Sequence, residues 1–243
     1  MGESWYYLPD KWEYRRALSI MRDGARILDI GCGKGFFLER CREKGISAEG
    51  IELNSSAAQI ARSKGFDVHE EMLEVFQMEN RERFDTVCLF QVLEHVADPM
   101  GVIRQALACV KPGGILIVGV PNAAGLMGKL TQVPANTPPH HVSRWSPKTI
   151  EAMASSFGLA VESMQYQPFH DHLPGYLLQR HFSWLPKKVQ NNWLMGHLLF
   201  LPTRILRRVK PDGTPSVPGH TVIAAMRKKE SGVAPPKYLI TGE

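Results

Sequence analysis

Three groups of residues in this sequence have types and spacings that could do chemistry. The first is Asp29 followed by Gly31, Gly33 and Gly35 in the run DIGCGKG. Glycines this close together belong where the backbone takes positive φ or lies against a ligand, because a Cβ would block either. The amides opening a helix beyond such a turn attract an anionic group, while the Asp29 carboxylate ahead of it suits a cationic one. The second is Glu52, about 20 residues beyond the turn, a carboxylate that can accept hydrogen bonds from both hydroxyls of a ribose. The third is a set of histidines: His95 in LEHVADP, and His140 and His141 in PPHHVSRWS. An imidazole with a reference pKa of about 6.5 can take a proton from a hydroxyl at neutral pH. Adjacent histidines also suggest a metal pair, but no third ligand stands at a sensible spacing, so no metal is expected.

The elements that must hold these residues follow from the pattern. Arg26 to Ile30 reads as a buried strand, and Phe36, Phe37 and Cys41 recur on one face of the helix that follows, which ends at Gly45. Strand, glycine turn and helix suit any nucleotide-type cofactor, so spacing has to discriminate. A dinucleotide fingerprint is G-x-G-x-x-G, whereas here the third glycine comes one residue early and an acid precedes the first.

This D-x-G-x-G-x-G run resembles motif I of the class I methyltransferases that use S-adenosylmethionine (SAM). The later run FQVLEHVADP is similar to the segment after the fourth strand in small-molecule members of the quinone-biosynthesis O-methyltransferase type. The resemblance implies that Asp29, Gly31, Cys32, Gly33 and Gly35 carry the methionine part of SAM. It implies that Glu52 and Leu53 meet the ribose side, that Glu71 or Met72 meets the adenine, and that Phe90 and Gln91 line the methionine pocket. His95 would stand near the transferred methyl, and the P-P-H-H run would lie on the acceptor side. His140, His141 and His95, in that order, are then the expected general bases, with Glu94 in structural support and Arg144 and Trp145 as anchors. The implied fold is α/β, a doubly wound, mostly parallel seven-stranded sheet in order 3-2-1-4-5-7-6.

The remaining strands are expected at 47–53, 66–69, 85–90, 115–120, 159–167 and 220–226. Residues 1–24 form a cap segment, with a helix carrying Trp12, Tyr14, Ala17 and Leu18 that either lids the cofactor mouth through Tyr6, Tyr7 or Arg15 or packs on the sheet. The core is expected over 25–168, a helical insertion over 169–218, the last strand within 219–229 and a tail over 230–243. Between Leu177 and Lys210 the insertion carries seven Lys or Arg and no acid, interleaved with apolar residues. Such a segment can lie on an anionic membrane surface, making peripheral membrane contact a candidate partner besides the small-molecule acceptor.

Composition narrows the classes further. The chain has 243 residues, 44% hydrophobic content and a net charge of +5, ordinary for a globular α/β protein that can meet an acidic partner without requiring one. Its four cysteines include no C-x-x-C pair and read as reduced core thiols, which with the absence of a secretory h-region points to a cytoplasmic protein. Nucleic acid is not expected as substrate, because Gln91 to Val96 stands where an N-P-P-Y type amine pocket would be. Two rival readings are a non-catalytic SAM-binding or membrane-surface adaptor and an NAD-type oxidoreductase, the latter opposed by the glycine spacing.

Overall fold

A computed structural model describes residues 9–125, 138–167 and 219–230 of the chain. The described elements run α1 (Trp12–Ile20), β1 (Arg26–Ile30), α2 (Phe36–Glu43), β2 (Ser47–Ile51), α3 (Ser55–Ser63), β3 (Val68–His69), α4 (Leu73–Glu79) and β4 (Phe84–Phe90). They continue with α5 (Pro99–Cys109), β5 (Val110–Pro121), α6 (Pro147–Ser156), β6 (Ala160–Tyr166) and β7 (Thr221–Arg227). The strands form one seven-stranded sheet in order β3-β2-β1-β4-β5-β7-β6, with β7 antiparallel to both neighbours and the other pairings parallel.

The sheet is covered on both faces, so its strands are apolar at consecutive positions rather than alternate ones. Ile27, Cys88, Ile115, Ile117 and Ile223 face a layer built from Tyr14, Ala17 and Leu18 of α1 and Phe37 and Cys41 of α2. Their sequence neighbours Leu28, Val87, Leu89, Leu116, Val118 and Val222 face the opposite layer, with Ile103 and Ala106 of α5 and Ile150 and Met153 of α6. Period-two alternation thus sorts one apolar run into two cores. Truncating a fully buried side chain such as Phe37 to Ala in either layer would cost about 3–5 kcal/mol. The helix starts follow their capping residues: Asn54 accepts the Ala57 N–H, Asp98 the Gly101 N–H and Ser146 the Thr149 N–H.

One segment differs from expectation, and a second takes one of the two places expected for it. Lys111 to Gly114 reads as a turn, yet β5 runs through it, because Val110 pairs with Phe84 and the strand absorbs the extra residues as a register shift with Gly113 at φ +71°. The N-terminal helix packs on the sheet, as its apolar stripe demands, while Arg15 on its outer face pairs with Asp10. Tyr6, Tyr7, the insertion at 169–218 with its basic stretch 177–210, and nearly all of the tail lie outside the described residues. Among the described residues no helix is long and apolar enough to cross a membrane.

Candidate active site

The chain reverses direction across the sheet between β1 and β4, and the carboxyl ends of those strands open onto the crevice where doubly wound sheets place their ligands. The glycine turn after β1 forms one wall. Gly31, Gly33 and Gly35 all have positive φ, at +76°, +55° and +76°. At Gly31 a Cβ would come 2.7 Å from Val92 Cγ2, so the glycine also lets the turn close on the loop after β4. The turn is pinned to β2: Gly31 and Cys32 donate their N–H groups to the Ile51 carbonyl at 2.8 and 3.0 Å. Glu52 reaches back across it, its two oxygens accepting the Gly33 and Asn54 N–H groups at 2.8 Å each. Glu52 and the glycines, 17 to 21 residues apart, therefore share one site. The Cys32 side chain turns away from it, buried against Gly50, where a Cβ would clash with its sulfur. Only the backbone of Cys32 contributes to the turn, and burial, with Asp29 and Glu52 nearby, pushes its thiol far up.

Asp29 is buried beneath the turn, and its Oδ1 has no hydrogen-bond partner among the described residues. Burial raises its pKa well above the usual carboxylate range, a rise offset in part by Lys11 and increased by Glu52. On the far side Leu53 and Met72 are both 57% exposed, which leaves apolar surface open to a flat ring. Glu71, half-buried beside Met72, stands near His69, its Oε1 3.8 Å from His69 Nδ1. Phe90 closes the base of the crevice, edge-on to Phe37 and Tyr14 at centroid distances of 4.8 and 5.3 Å. Gln91 takes φ +58°, rare for a non-glycine residue, while its N–H bonds the Gly119 carbonyl at 2.7 Å. Its side-chain amide donates to Glu13 Oε1 at 3.3 Å.

Glu13 is a site residue that sequence reasoning passed over. It lies on α1, 5% exposed, with its pKa raised by burial. The available signal was an acid four residues before Ala17 on the buried stripe of that helix.

The other wall is the single 3-10 turn Leu93–His95 and the loop 138–146, joined by a row of hydrogen bonds. Val142 and Ser143 donate their N–H groups to the Glu94 carbonyl at 2.8 and 3.4 Å, and Ser143 Oγ donates to the Leu93 carbonyl at 2.9 Å. Trp145, buried, anchors the loop by donating Nε1–H to Ser143 Oγ at 3.0 Å and accepting the Ala123 N–H at 2.7 Å. Arg144 is exposed. This stapling brings His141 against His95, ring centroids 4.8 Å apart. His140 has an exposed side position and enters through its carbonyl, which lies 2.7 Å from His95 Nδ1. Since a carbonyl only accepts, Nδ1 carries the proton.

Glu94 sits among them, 1% exposed, with neither carboxylate oxygen hydrogen-bonded among the described residues. Its Oε1 is 3.8 Å from His95 Nε2, and burial pushes its pKa up to about 7. Burial, then the neighbouring His95 and His140, press His141 down to about 4. The sequence pattern offers no third metal ligand for the histidine pair, but the fold brings one group near: ligand atoms of Glu94, His95 and His141 lie within 4.8 Å of one another. A second such trio, Glu49, Asp67 and His69, is already neutralised by Arg26 and Arg83, which donate to Glu49 Oε1 at 2.6 and 2.9 Å.

A family model described as a methyltransferase domain matches residues 7–164, well over half of the chain. The chain belongs to the class I SAM-dependent methyltransferases. Its sequence is 34% identical over 106 residues to the ubiquinone biosynthesis O-methyltransferase of Alkalilimnicola ehrlichii, covering 41% of this chain and 43% of that one. The same-named enzyme of Stutzerimonas stutzeri is 30% identical over 168 residues, covering 61% of this chain and 72% of that one. The chain thus spans less than half the length of the first of these relatives. The crystal structure of a SAM-dependent methyltransferase from Archaeoglobus fulgidus shares the fold, with a TM-score of 0.62 at 18% identity over 89% of this chain and 91% of that one.

The residues at the crevice of this methyltransferase fit SAM. The orphaned Asp29 carboxyl suits the cofactor's cationic methionine end, the Glu52 oxygens keep lone pairs for ribose hydroxyls, and Leu53 and Met72 offer apolar surface to the adenine. A pyrophosphate would find a buried carboxyl and a glutamate where it needs free amides, which speaks against the NAD-type reading.

Proposed function

We propose that this methyltransferase acts on a hydroxyl of a small molecule, which lies against the wall formed by the Leu93–His95 turn and the loop 138–146. The observation that carries this reading is the convergence of Glu94, His95 and His141, proton-accepting groups from segments 46 residues apart, at the edge of the cofactor crevice. The ubiquinone biosynthesis O-methyltransferases among its relatives support oxygen as the acceptor atom.

Bound SAM supplies an electrophilic methyl on a sulfonium sulfur. The protein's own task is to hold an acceptor oxygen about 3 Å away and in line, to take its proton, and to keep water from its place. Glu52 and the glycine turn fix the cofactor, and Phe90 and Gln91 set the depth at which its methionine end stops. His95, its Nδ1–H fixed on the His140 carbonyl, presents Nε2 as an acceptor, and His141, neutral at pH 7, lines the same pocket. Between the three histidines the geometry favours His95 and His141 over His140, whose imidazole faces solvent. The four cysteines are all free and buried, in keeping with the reducing cytoplasm we assign to the enzyme.

The test is incubation with SAM tritiated in its methyl group and a panel of hydroxylated aromatics and quinols, with products identified by mass spectrometry. Label recovered as O-methyl ether is the expected result. Transfer only to nitrogen or carbon, or none to any acceptor, would sink the reading.

A further inference from the structure

We infer that the Glu94 carboxylate is the group that receives the acceptor's proton, and that His95 passes that proton on to solvent. The inference rests on the reading that an acceptor hydroxyl enters this pocket, and it names the pocket's catalytic base.

A carboxylate placed here for structure would be tied to something. Glu94 does hold the loop 138–146, but through its backbone carbonyl, which takes the Val142 and Ser143 N–H groups. Its side chain takes no part in that work: both oxygens are buried and neither has a hydrogen-bond partner among the described residues. Burying a carboxyl without a partner costs about 1–3 kcal/mol or more, so an orphan of this kind marks a place where something else is meant to bind.

The surrounding spacing says what. Glu94 Oε1 lies 3.8 Å from His95 Nε2, and an atom centred among ligand atoms that all fall within 4.8 Å of one another is no farther than about 2.8 Å from each, within reach of an O–H···O hydrogen bond. A hydroxyl oxygen fits that point. It can donate to Glu94 while resting against the imidazoles of His95 and His141.

In the reaction the O–H proton moves to a Glu94 oxygen as the oxygen–methyl bond forms, and the electron pair of the broken carbon–sulfur bond leaves with the sulfur. Glu94 is left as a neutral acid, the form its burial favours. It is too deep to release the proton directly, being 1% exposed, whereas the His95 side chain, 3.8 Å away, is 29% exposed. The histidines alone serve less well. His141 is pressed far below neutrality and so holds a proton weakly, while Glu94, at about 7, is matched to the task. The groups that face Glu94 and set this balance are Lys11 and Glu13 from the N-terminal segment and His95 and His141 beside it.

The decisive variant is Glu94→Gln, which keeps the backbone carbonyl, and hence the loop, while removing the base. SAM binding by calorimetry and the thermal melt should match wild type. Turnover of tritiated SAM with the best acceptor of the panel should fall about 100-fold and recover as pH rises toward the acceptor's own pKa, since an already ionised oxygen needs no base. A readout independent of turnover is the infrared band of the protonated carboxyl in the protein without acceptor, titrated against pH and assigned by its loss in Glu94→Gln. Its midpoint should fall near 7. Wild-type turnover in the variant, or a midpoint near the ordinary carboxylate value of about 4.3, overturns the assignment of Glu94 and leaves O-methylation standing. Stoichiometric Mn2+ binding that disappears in Glu94→Gln overturns it as well, by making the carboxylate a ligand. Label found only on nitrogen or carbon overturns both readings.

Discussion

The two walls of the crevice are built in opposite ways. On the cofactor wall the backbone amides of the turn are taken up within the wall: Gly31 and Cys32 by Ile51, Gly33 by Glu52, Gly35 by Cys32, with only the buried Asp29 Oδ1 beneath them open among the described residues. On the acceptor wall the Leu93 and Glu94 carbonyls are taken up by the loop, but the Glu94 carboxyl at its centre has no hydrogen-bond partner among the described residues. The first wall is a rigid mould for a ligand that changes little along its length, and its conformation is set by short-range glycine geometry. The second is a pocket that keeps reactive valence open, and it exists only because a loop is hydrogen-bonded onto a turn 45 to 50 residues earlier. Damage to the mould should therefore appear in cofactor affinity, and damage to the pocket in turnover.

The largest break in that comparison comes from Gly31→Val. The residue holds φ +76°, and any Cβ there meets Val92 Cγ2 at 2.7 Å. A β-branched side chain adds left-handed strain of about 1–3 kcal/mol to that clash, and the turn must open to relieve it. Calorimetric affinity for SAM should fall about 100-fold or more, which corresponds to roughly 3 kcal/mol. Unchanged affinity would mean that the turn does not shape the cofactor site.

Glu52→Gln sharpens the same side. The amide can still accept one of the two N–H groups now bound at 2.8 Å, but it loses the charge and offers the other an N–H that cannot accept. Hydrogen bonds to charged groups are worth about 1.5–3 kcal/mol, so SAM should bind about 10- to 100-fold more weakly. Turnover at saturating SAM should stay within about threefold of wild type, because the ribose is remote from the transferred methyl.

The same contrast explains what could be read from the residues alone. The mould was legible: DIGCGKG dictates a strand, a positive-φ turn and a helix within ten residues, and Glu52 follows at a spacing fixed by one helix and one strand. The parallel part of the sheet followed from alternating strand and helix patterns, and the strand order from the resemblance. The pocket was only half legible. His95 and His141 could be named as reactive residues, but nothing local says that the Glu94 carbonyl would catch Val142, or that His140 would contribute its carbonyl rather than its ring. The Lys111–Gly114 run reads as a turn but lies within β5, because good turn chemistry can equally serve a bulged strand when Phe84 waits to pair with Val110. Glu13 was passed over because a carboxylate on a surface helix is ordinary until the helix is seen to cover the sheet.

On the acceptor wall, Ser143→Ala tests whether the pocket depends on its staples. The hydroxyl donates to the Leu93 carbonyl and accepts from Trp145, so its loss removes two hydrogen bonds, one to a buried indole. Each is worth about 0.5–1.5 kcal/mol, while the Val142 N–H still holds the Glu94 carbonyl. Misplacement of His141 relative to Glu94 should lower turnover about 10-fold with SAM affinity unchanged. A fall in SAM affinity instead would show that the two walls are not separable.

The smallest effect belongs to the residue that the sequence pattern ranks first. In His140→Ala the carbonyl that receives His95 Nδ1–H survives, since it belongs to the backbone. What disappears is an exposed ring, whose charge acts on His141 only as the weakest of the three causes that lower it. Turnover should change by less than about twofold, against the roughly 100-fold loss expected for removal of a true base. A loss of that larger size, with SAM affinity intact, would return the proton to His140 and require its imidazole to swing inward when the acceptor binds. The Glu94 carboxylate would then be a neighbour of the reaction and not a party to it.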